Sequence, residues 1–414
     1  MPSAESTVHV IDLTASSIDI TRQLCDIESV SGNERAIANA IEAAISGCSH
    51  LEVTRDGDAI VARTTLGRDR RVVIAGHTDT VPLNHNLPTR VETEGGVDYL
   101  WGRGTVDMKA GVAVQLKLAA ELVAAAVDLT WIWYDNEEVD SDLNGLGRLA
   151  ANHPELLVGD FAILGEPTNS LVEGGCNGTM RVELRSSGKR AHSARSWVGV
   201  NAIHAAAPIL DILAAYQPRS IEVDGLIYRE GLNAVAITGG VAGNVIPDEC
   251  VVTVNYRFAP DMDSAAAQAH LKEVFAGVDL TVTDSADGAR PGLHDALARQ
   301  FLAAVGGEPK PKYGWTDVAR FSSLGIPAVN YGPGDPLLAH ADDERVSFAQ
   351  ITECERGLRS CQLAVAWRVA FTHQAAGVFE FFAQHGKLVA PVDGHFRIGS
   401  INPFLTKDLN SVEI

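Results

Sequence analysis

Cysteine is scarce and scattered in this sequence. The six cysteines form no Cys-x-x-Cys pair, and their spacing indicates no disulfide framework. We therefore expect free thiols in a reducing cytoplasm. The first residues, Met-Pro-Ser-Ala-Glu-Ser-Thr, lack a basic stretch followed by an apolar one, so we expect no secretory signal. The apolar run after Lys109 is interrupted by Gln115, Lys117 and Glu121, which predicts a buried helix and not a membrane span.

Basic residues are few in comparison with acidic ones. The chain has 33 Lys and Arg against 53 Asp and Glu, a formal net charge of −20. Phosphate binding needs basic patches, so this balance argues against a nucleic-acid partner. Acidic surface is mostly solvated, but the excess also suits a protein that holds cations in a carboxylate-rich cleft and binds a small molecule there.

Short apolar runs alternate with helical periodicity over much of the chain. Strands are predicted at 71–76, 129–134 and 161–164, with a helix at 109–126 between the first two. The same pattern resumes near the end, with predicted elements at 293–304 (helix), 326–330 (strand) and 346–358 (helix). Strands that alternate with helices predict an α/β fold whose mostly parallel sheet lies between helical layers.

The order of elements changes between these two parts. There it runs strand, helix, strand, strand, helix, strand, at 179–186, 200–215, 232–241, 250–258, 263–276 and 279–283. This is the ferredoxin-like order. We therefore predict a catalytic domain formed by 1–178 and 288–360, with an inserted α+β domain at 179–287. A tail at 361–414, rich in phenylalanine, has no predicted role.

Three polar clusters begin where a predicted strand ends. They are Gly76-His77-Thr78-Asp79-Thr80, Asp135-Asn136-Glu137-Glu138 and Gly165-Glu166-Pro167-Thr168. Open α/β sheets bind ligands at the edge formed by the carboxyl ends of their strands. A fourth cluster, Gly102-Arg103-Gly104-Thr105-Val106-Asp107, opens the long helix. Imidazole nitrogen with several carboxylate oxygens suits zinc, and a carboxylate such as Asp107 can bridge two ions.

The adjacent Glu137 and Glu138 are expected to have different functions, because adjacent side chains of an extended segment diverge. Glu138 is predicted to bind a metal and Glu137 to act as general base. Asp79 follows His77 closely enough to hold the other N–H of its imidazole. Taken singly, each residue is typical of solvated surface or of a helix cap. As an ordered set at strand and helix edges, they indicate a metal centre.

From about residue 15 to 360, these motifs resemble those of the co-catalytic zinc aminoacylase/carboxypeptidase family. The resemblance implies a zinc-exopeptidase-like α/β/α domain, an inserted domain that mediates homodimerisation, and two zinc ions that cobalt can replace. It implies one ion bound by His77, Asp107 and Glu166, and a second bound by Asp107, Glu138 and His340. The family supplies His340, because spacing alone does not select it from thirteen histidines. The family also places the catalytic base at Glu137.

The resemblance extends into the inserted segment. His192 matches a histidine that stabilises the oxyanion in the neighbouring subunit's active site. Asn244 and Arg257 match substrate-contact positions, and a guanidinium can bind a carboxylate through two parallel hydrogen bonds. Two of these residues are open to another interpretation, His192 as an ordinary surface histidine and Arg257 as a strand-face salt bridge.

The activity implied is hydrolysis of the amide bond of an N-acyl amino acid. The expected substrate is N-succinyl-LL-2,6-diaminopimelate. The alternatives are another amide hydrolase of the same family, such as an acetylornithine deacetylase or a carboxypeptidase, a non-catalytic binding protein on the same scaffold, and a transferase. A carboxylate at the base position, Glu137, argues against the binding protein.

Overall fold

The computed structural model describes residues 9–360, which all lie in one compact unit, Met1–Ala364. The predicted tail at 361–414 lies outside the described residues. The α-helices are Ser17–Cys25, Arg35–Ile45, Lys109–Glu121, Gly145–Asn152, Ala202–Ala205, Ala207–Ala215, Ser264–Val274, Ala296–Val305, Val318–Ser323 and 348–360. Short 3-10 helices span Ser141–Leu143, Pro154–Leu156, Ser193–Val198 and Pro336–Leu338.

An eight-stranded sheet forms the centre of the molecule. From edge to edge its strands are Glu52–Asp56, Ala59–Arg63, Asp128–Tyr134, Arg71–His77, Phe161–Leu164, Ala328–Asn330, Glu173–Gly174 and Lys310–Pro311. The four strands from Asp128–Tyr134 to Ala328–Asn330 run parallel. The predicted mostly parallel sheet is therefore confirmed.

Helices cover both faces of this sheet. On one face, Val73 and Ala75 pack in a cluster with Leu146 and Phe321, which lie on helices. On the other, the helix Lys109–Glu121 packs against the strand Arg71–His77. The result is the expected α/β/α arrangement, and the parallel strands are mostly hydrophobic because both of their faces are buried.

A separate four-stranded sheet is formed by the middle of the chain. Its strand order is Gly231–Gly239, Glu249–Phe258, Gly178–Ser187, Asp279–Ala286, and every neighbouring pair is antiparallel. Helices lie between the strands along the chain in the predicted order. This is the ferredoxin-like topology expected from the sequence, while the domain limits 179–287 remain a prediction.

Two predicted helices differ from those in the structure. The helix expected at 109–126 ends at Glu121, because Leu122 has a non-helical backbone conformation (φ −85°, ψ 65°) and the chain then turns towards the strand that begins at Asp128. The helix expected at 200–215 is interrupted at Ala206, just before Pro208, a residue that cannot donate a helical hydrogen bond.

Smaller sheets, which the sequence did not reveal, complete the described structure. They consist of Arg90–Glu94, Val97–Trp101 and Arg345–Ser347; of Ser220–Val223 and Leu226–Arg229; and of Ala191–His192 and Val245–Ile246. Among residues 9–360, no helix is both long enough and apolar enough to cross a membrane.

Candidate metal centre

Three neighbouring parallel strands deliver predicted ligands to one edge of the large sheet. His77 is the last residue of its strand, and Glu138 follows the adjacent strand Asp128–Tyr134. Glu166 follows the strand on the other side, Phe161–Leu164. Because these strands run in the same direction, their carboxyl ends meet at the same edge of the sheet.

Asp107 lies between two histidines that are far apart in the chain. Its Oδ1 is 3.1 Å from His77 Nε2, and its Oδ2 is 3.4 Å from His340 Nε2. Each carboxylate oxygen therefore faces a different imidazole. This is the arrangement that a carboxylate bridging two ions requires.

Two groups of potential ligands share Asp107. One consists of His77, Asp107 and Glu166, and the other of Asp107, Glu138 and His340. Within each group, one donor atom per residue lies within 4.8 Å of the others. Glu166 Oε1 is buried and has no hydrogen-bond partner, as expected of an atom whose partner is a metal ion. The donor set therefore fits a pair of divalent cations.

Glu137 lies beside the same cluster. His77, Glu137 and Glu138 also bring one donor atom each within 4.8 Å. Burial raises the pKa of Glu137 well above its ordinary value; His77 opposes the shift and Glu138 adds to it. A carboxylate in such an environment is a stronger base than one in water, which suits proton transfer.

Asp79 holds both sides of the centre together. Its backbone carbonyl oxygen is 3.1 Å from His77 Nδ1, and its carboxylate Oδ1 is 3.4 Å from the same nitrogen. The two carboxylate oxygens also accept the backbone N–H groups of Glu137, at 3.0 Å, and Glu138, at 3.1 Å. Asp79 thus contacts the imidazole of His77 and also holds the backbone that carries the two glutamates.

The charges of the cluster favour bound cations. Burial raises the pKa of Glu166 to about 7, with a further contribution from Asp107. Burial acts in the same direction on Asp107, but hydrogen bonds with His340 and His77 outweigh it and hold this pKa below its usual range. Hydrogen bonds to Asp107 and Glu138 raise the pKa of His340 to about 10. Metal ions would replace the protons that these groups otherwise share.

Two supporting residues were not singled out from the sequence. Glu34 is buried, and its Oε1 accepts the N–H of Asn136 at 3.2 Å. Asn136 has a φ of 58°, and its conformation turns the chain into Glu137. Ser31, in the same loop as Glu34, donates to Asp79 Oδ2 at 2.8 Å. No periodic pattern marks this loop, so only its contacts reveal it.

A second missed pair is Arg103 and Glu344. Both side chains are buried, with 4% and 1% of their surface exposed. They belong to the two loops that carry Asp107 and His340. The sequence shows a charged residue at each position, but no sequence pattern indicates that the two side chains form an ion pair.

Among the residues predicted in the inserted segment, two have no described contact with the ligands. His192 and Asn244 are both exposed and are near each other, since Asn244 accepts the backbone N–H of Ser193 at 2.9 Å. No described hydrogen bond or ion pair joins either side chain to the metal centre. Arg257 is different: burial lowers its pKa, and among the smaller effects Glu137 raises it, so this guanidinium lies within electrostatic reach of the proposed base.

The sequence comparisons agree with this geometry. Residues 73–363 match the profile of peptidase family M20/M25/M40. The chain belongs to this family. The predicted family resemblance is thereby confirmed, and the match includes every residue of the proposed centre.

Close relatives cover the same region of the M20 chain. It is 54% identical over 346 residues to a Mycobacterium tuberculosis protein assigned as succinyl-diaminopimelate desuccinylase, covering 83% of this chain and 97% of that one. It is 47% identical over 354 residues to the succinyl-diaminopimelate desuccinylase of Corynebacterium glutamicum, covering 83% and 95%.

Solved structures with low sequence identity share the fold. An M20 family metallo-carboxypeptidase of Sulfolobus solfataricus superposes with a TM-score of 0.69 at 15% identity, covering 85% of this chain and 99% of that one. A dinuclear metal-binding M20 peptidase of Bacillus subtilis has a TM-score of 0.60 at 17% identity, with coverages of 84% and 96%. The expected zinc-exopeptidase-like architecture is confirmed.

Proposed function

We propose that this M20 protein is a di-zinc amidohydrolase that converts N-succinyl-LL-2,6-diaminopimelate and water into succinate and LL-2,6-diaminopimelate. The observation that carries the proposal is the pair of ligand groups that share Asp107. The choice of substrate is supported by the names of the relatives at 54% and 47% identity, which align over nearly their whole length.

The donor set favours zinc as the resident metal. Each group combines one imidazole nitrogen with carboxylate oxygens, a combination that suits Zn²⁺ and also accepts Co²⁺. We assign His77, Asp107 and Glu166 to one ion, and Asp107, Glu138 and His340 to the other. Such a pair supplies a Lewis acid for the amide carbonyl and a water of lowered pKa.

Glu137 carries the proton in this mechanism. It takes a proton from the attacking water while the C–O bond forms, and it delivers that proton to the nitrogen as the C–N bond breaks. Asp79 keeps Glu137 in place through its backbone N–H, at 3.0 Å. Arg257 and Asn244 are assigned to substrate binding.

His192 is assigned to the oxyanion of the neighbouring subunit's site, which requires a homodimer. The strand Gly231–Gly239 is an edge strand whose open side has unpaired backbone groups. Its Val235 and Ile237 are 59% and 50% exposed, and Ile203 and Leu210 on helices of the same segment are also exposed. Apolar side chains on an open sheet edge favour pairing with a second copy of the chain.

We also propose that the reaction takes place in the cytoplasm. The five cysteines among residues 9–360 are all free, as expected where thiols are kept reduced.

Amine release from a panel of N-acyl amino acids, measured together with metal content, tests the proposal. Purified protein loaded with zinc should release LL-2,6-diaminopimelate from its N-succinyl form with the highest kcat/KM of the panel. Faster turnover of N-acetylornithine would indicate a deacetylase instead, and dependence on an added acyl acceptor would indicate a transferase.

Glu137→Ala provides the matched control within the site. It should keep two zinc ions and lose activity by a factor of about 10² to 10⁴. A variant that kept both its zinc and full activity would overturn the proposed mechanism.

A further inference from the structure

The four-stranded sheet has one apolar face and one polar face. In the strand Gly178–Ser187, alternate residues such as Met180 and Val182 are buried in a cluster with the helices of this segment. Thr179 and Arg181 therefore point to the opposite face. On the adjacent strand, Tyr256 is likewise in the cluster, and Arg257 lies on the polar face.

The strand register places two guanidiniums close together on this polar face. Arg181 pairs with Asn255, and Arg257 pairs with Thr179. The two arginines are diagonal neighbours, a relationship in which side chains start about 7–8 Å apart. The Asn255 side chain accepts a hydrogen bond from Arg257 Nε at 3.1 Å and donates one to Thr179 Oγ1 at 3.1 Å. Together with Arg181, these three residues form one polar surface.

This surface lies beside the loop that carries the glutamates of the metal centre. Arg181 Nη1 is 3.4 Å from Oδ1 of Asp140, two residues after Glu138. Arg257 lies within electrostatic reach of Glu137. Arg181 therefore contacts the loop that carries Glu137 and Glu138, and Arg257 is its diagonal neighbour on the sheet. Neither guanidinium is among the proposed metal ligands.

The contact of Arg181 is one that a ligand can replace. The side chains of Arg181 and Asp140 are 43% and 73% exposed, and exposed ion pairs contribute little free energy. Among the described residues, Asp140 is the one carboxylate within ion-pair distance of Arg181, although Asp284 lies opposite it in the register. Arg185, four residues further along the same strand and on the same face, already forms ion pairs with Glu183 at 2.5 Å and Glu249 at 2.6 Å.

We propose that Arg181 determines acyl specificity by binding the distal carboxylate of a dicarboxylic acyl group, while Arg257 binds a carboxylate on the amino-acid side. This inference rests on the proposed amidohydrolase function and defines how that site distinguishes a succinyl group from an acetyl group. An N-succinyl amino acid has a carboxylate on each side of its amide, so it can engage both guanidiniums. The acetyl group of an N-acetyl amino acid has no carboxylate for Arg181 to bind.

The test compares N-succinyl- and N-acetyl-LL-2,6-diaminopimelate with the wild-type protein and Arg181→Gln. Arg181→Gln removes a charge-assisted hydrogen bond to the substrate. We therefore expect its kcat/KM for the succinyl substrate to fall about 10- to 100-fold, mostly through a higher KM. The acetyl substrate should be nearly unaffected. Arg181→Lys should recover part of the loss, because it keeps the charge without the fork of donors. Arg185→Gln is the matched control and should change neither substrate.

Three results would overturn the inference, and they are distinguishable. Equal losses on both substrates would place the bound carboxylate on the amino-acid side. If Asp140→Asn reproduced the effects of Arg181→Gln on both substrates, the arginine would serve only to position that loop. An unchanged succinyl KM in Arg181→Gln would exclude a contact. By contrast, a wild-type protein without activity on the succinyl substrate would contradict the proposed function itself, and with it this inference.

Discussion

Arg103 and Glu344 form a buried ion pair of 2.7 Å that joins the two loops carrying Asp107 and His340. Glu344 Oε1 accepts the backbone N–H of Asp107 at 3.1 Å. Arg103 Nη2 lies 3.4 Å from the carbonyl oxygen of His340. The pair therefore sets the distance between Asp107, the proposed bridging ligand, and His340, a proposed ligand more than two hundred residues away in the sequence.

The first prediction concerns this pair. Glu344→Gln leaves Arg103 buried without a counter-charge, and loss of one partner of a buried pair costs about 3–5 kcal/mol. We expect a fall of that size in the free energy of unfolding measured with urea, together with weaker zinc binding in chelator competition. Asp343→Asn, at an exposed neighbouring carboxylate, is the control and should change neither quantity. A Glu344→Gln protein with wild-type stability and zinc affinity would show that the ion pair is not needed to position the loops of Asp107 and His340.

The second prediction concerns metal stoichiometry. Asp107 belongs to both ligand groups, whereas Glu166 and His340 each belong to one. After dialysis against a weak chelator, Glu166→Ala and His340→Ala should each keep about one zinc of the two, and Asp107→Ala should keep none. Adding zinc should raise the Tm of the wild-type protein, because an ion that binds only the folded state stabilises it. Loss of both ions from Glu166→Ala, or retention of one by Asp107→Ala, would contradict the shared-ligand assignment.

The third prediction concerns the dimer. A Glu137→Ala subunit lacks its base and a His192→Ala subunit lacks the proposed oxyanion contact. If His192 acts in the neighbouring subunit, a mixed dimer has one site with both residues intact and one with neither. Co-expression of the two inactive variants should therefore restore up to half of the activity per mixed dimer.

Mutation of the dimer edge provides the companion measurement. Ile237→Lys places a charge on the exposed edge strand and should give monomers in light scattering, with activity lost. Ile227→Lys, at a similarly exposed position on another strand, is the control and should remain dimeric. A fully active monomer would exclude a contribution of His192 from a partner.

The fourth prediction concerns acid stability. Asp128 is buried; burial alone would raise its pKa, but hydrogen bonds from Arg68, Leu66 and Thr64 lower it below its ordinary value. A carboxyl whose folded pKa is depressed stabilises the protein above its unfolded pKa of about 3.9, and this contribution disappears as the pH falls through the lower, folded value.

Urea unfolding of Asp128→Asn across pH checks this expectation. The variant should lose about 1–3 kcal/mol of unfolding free energy at pH 7. The difference in unfolding free energy between the variant and the wild type should be constant above about pH 5 and should become smaller below about pH 4. Asp69→Asn, at an exposed position, should match the wild type throughout. A difference that grew on acidification would have the wrong sign.

Much of the fold was predictable because it depends on local patterns. The buried strand Arg71–His77 is a β-branched run with a clear end, and the alternation in Gly178–Ser187 identifies both faces of its sheet. The ends of helices were less predictable. The apolar residues after Glu121 are compatible with more helix, but Leu122 leaves the helical conformation and the chain turns towards the strand that begins at Asp128.

The sequence by itself determined the candidate ligands at the strand ends, His77, Glu138 and Glu166, because strands that alternate with helices predict a parallel sheet whose strands end at one edge. Only the tertiary structure decided that Asp107 presents one oxygen to each histidine, and that Arg103 meets Glu344. These pairs join segments far apart in the chain. Distances between such segments arise when the whole core packs, and no local pattern records them.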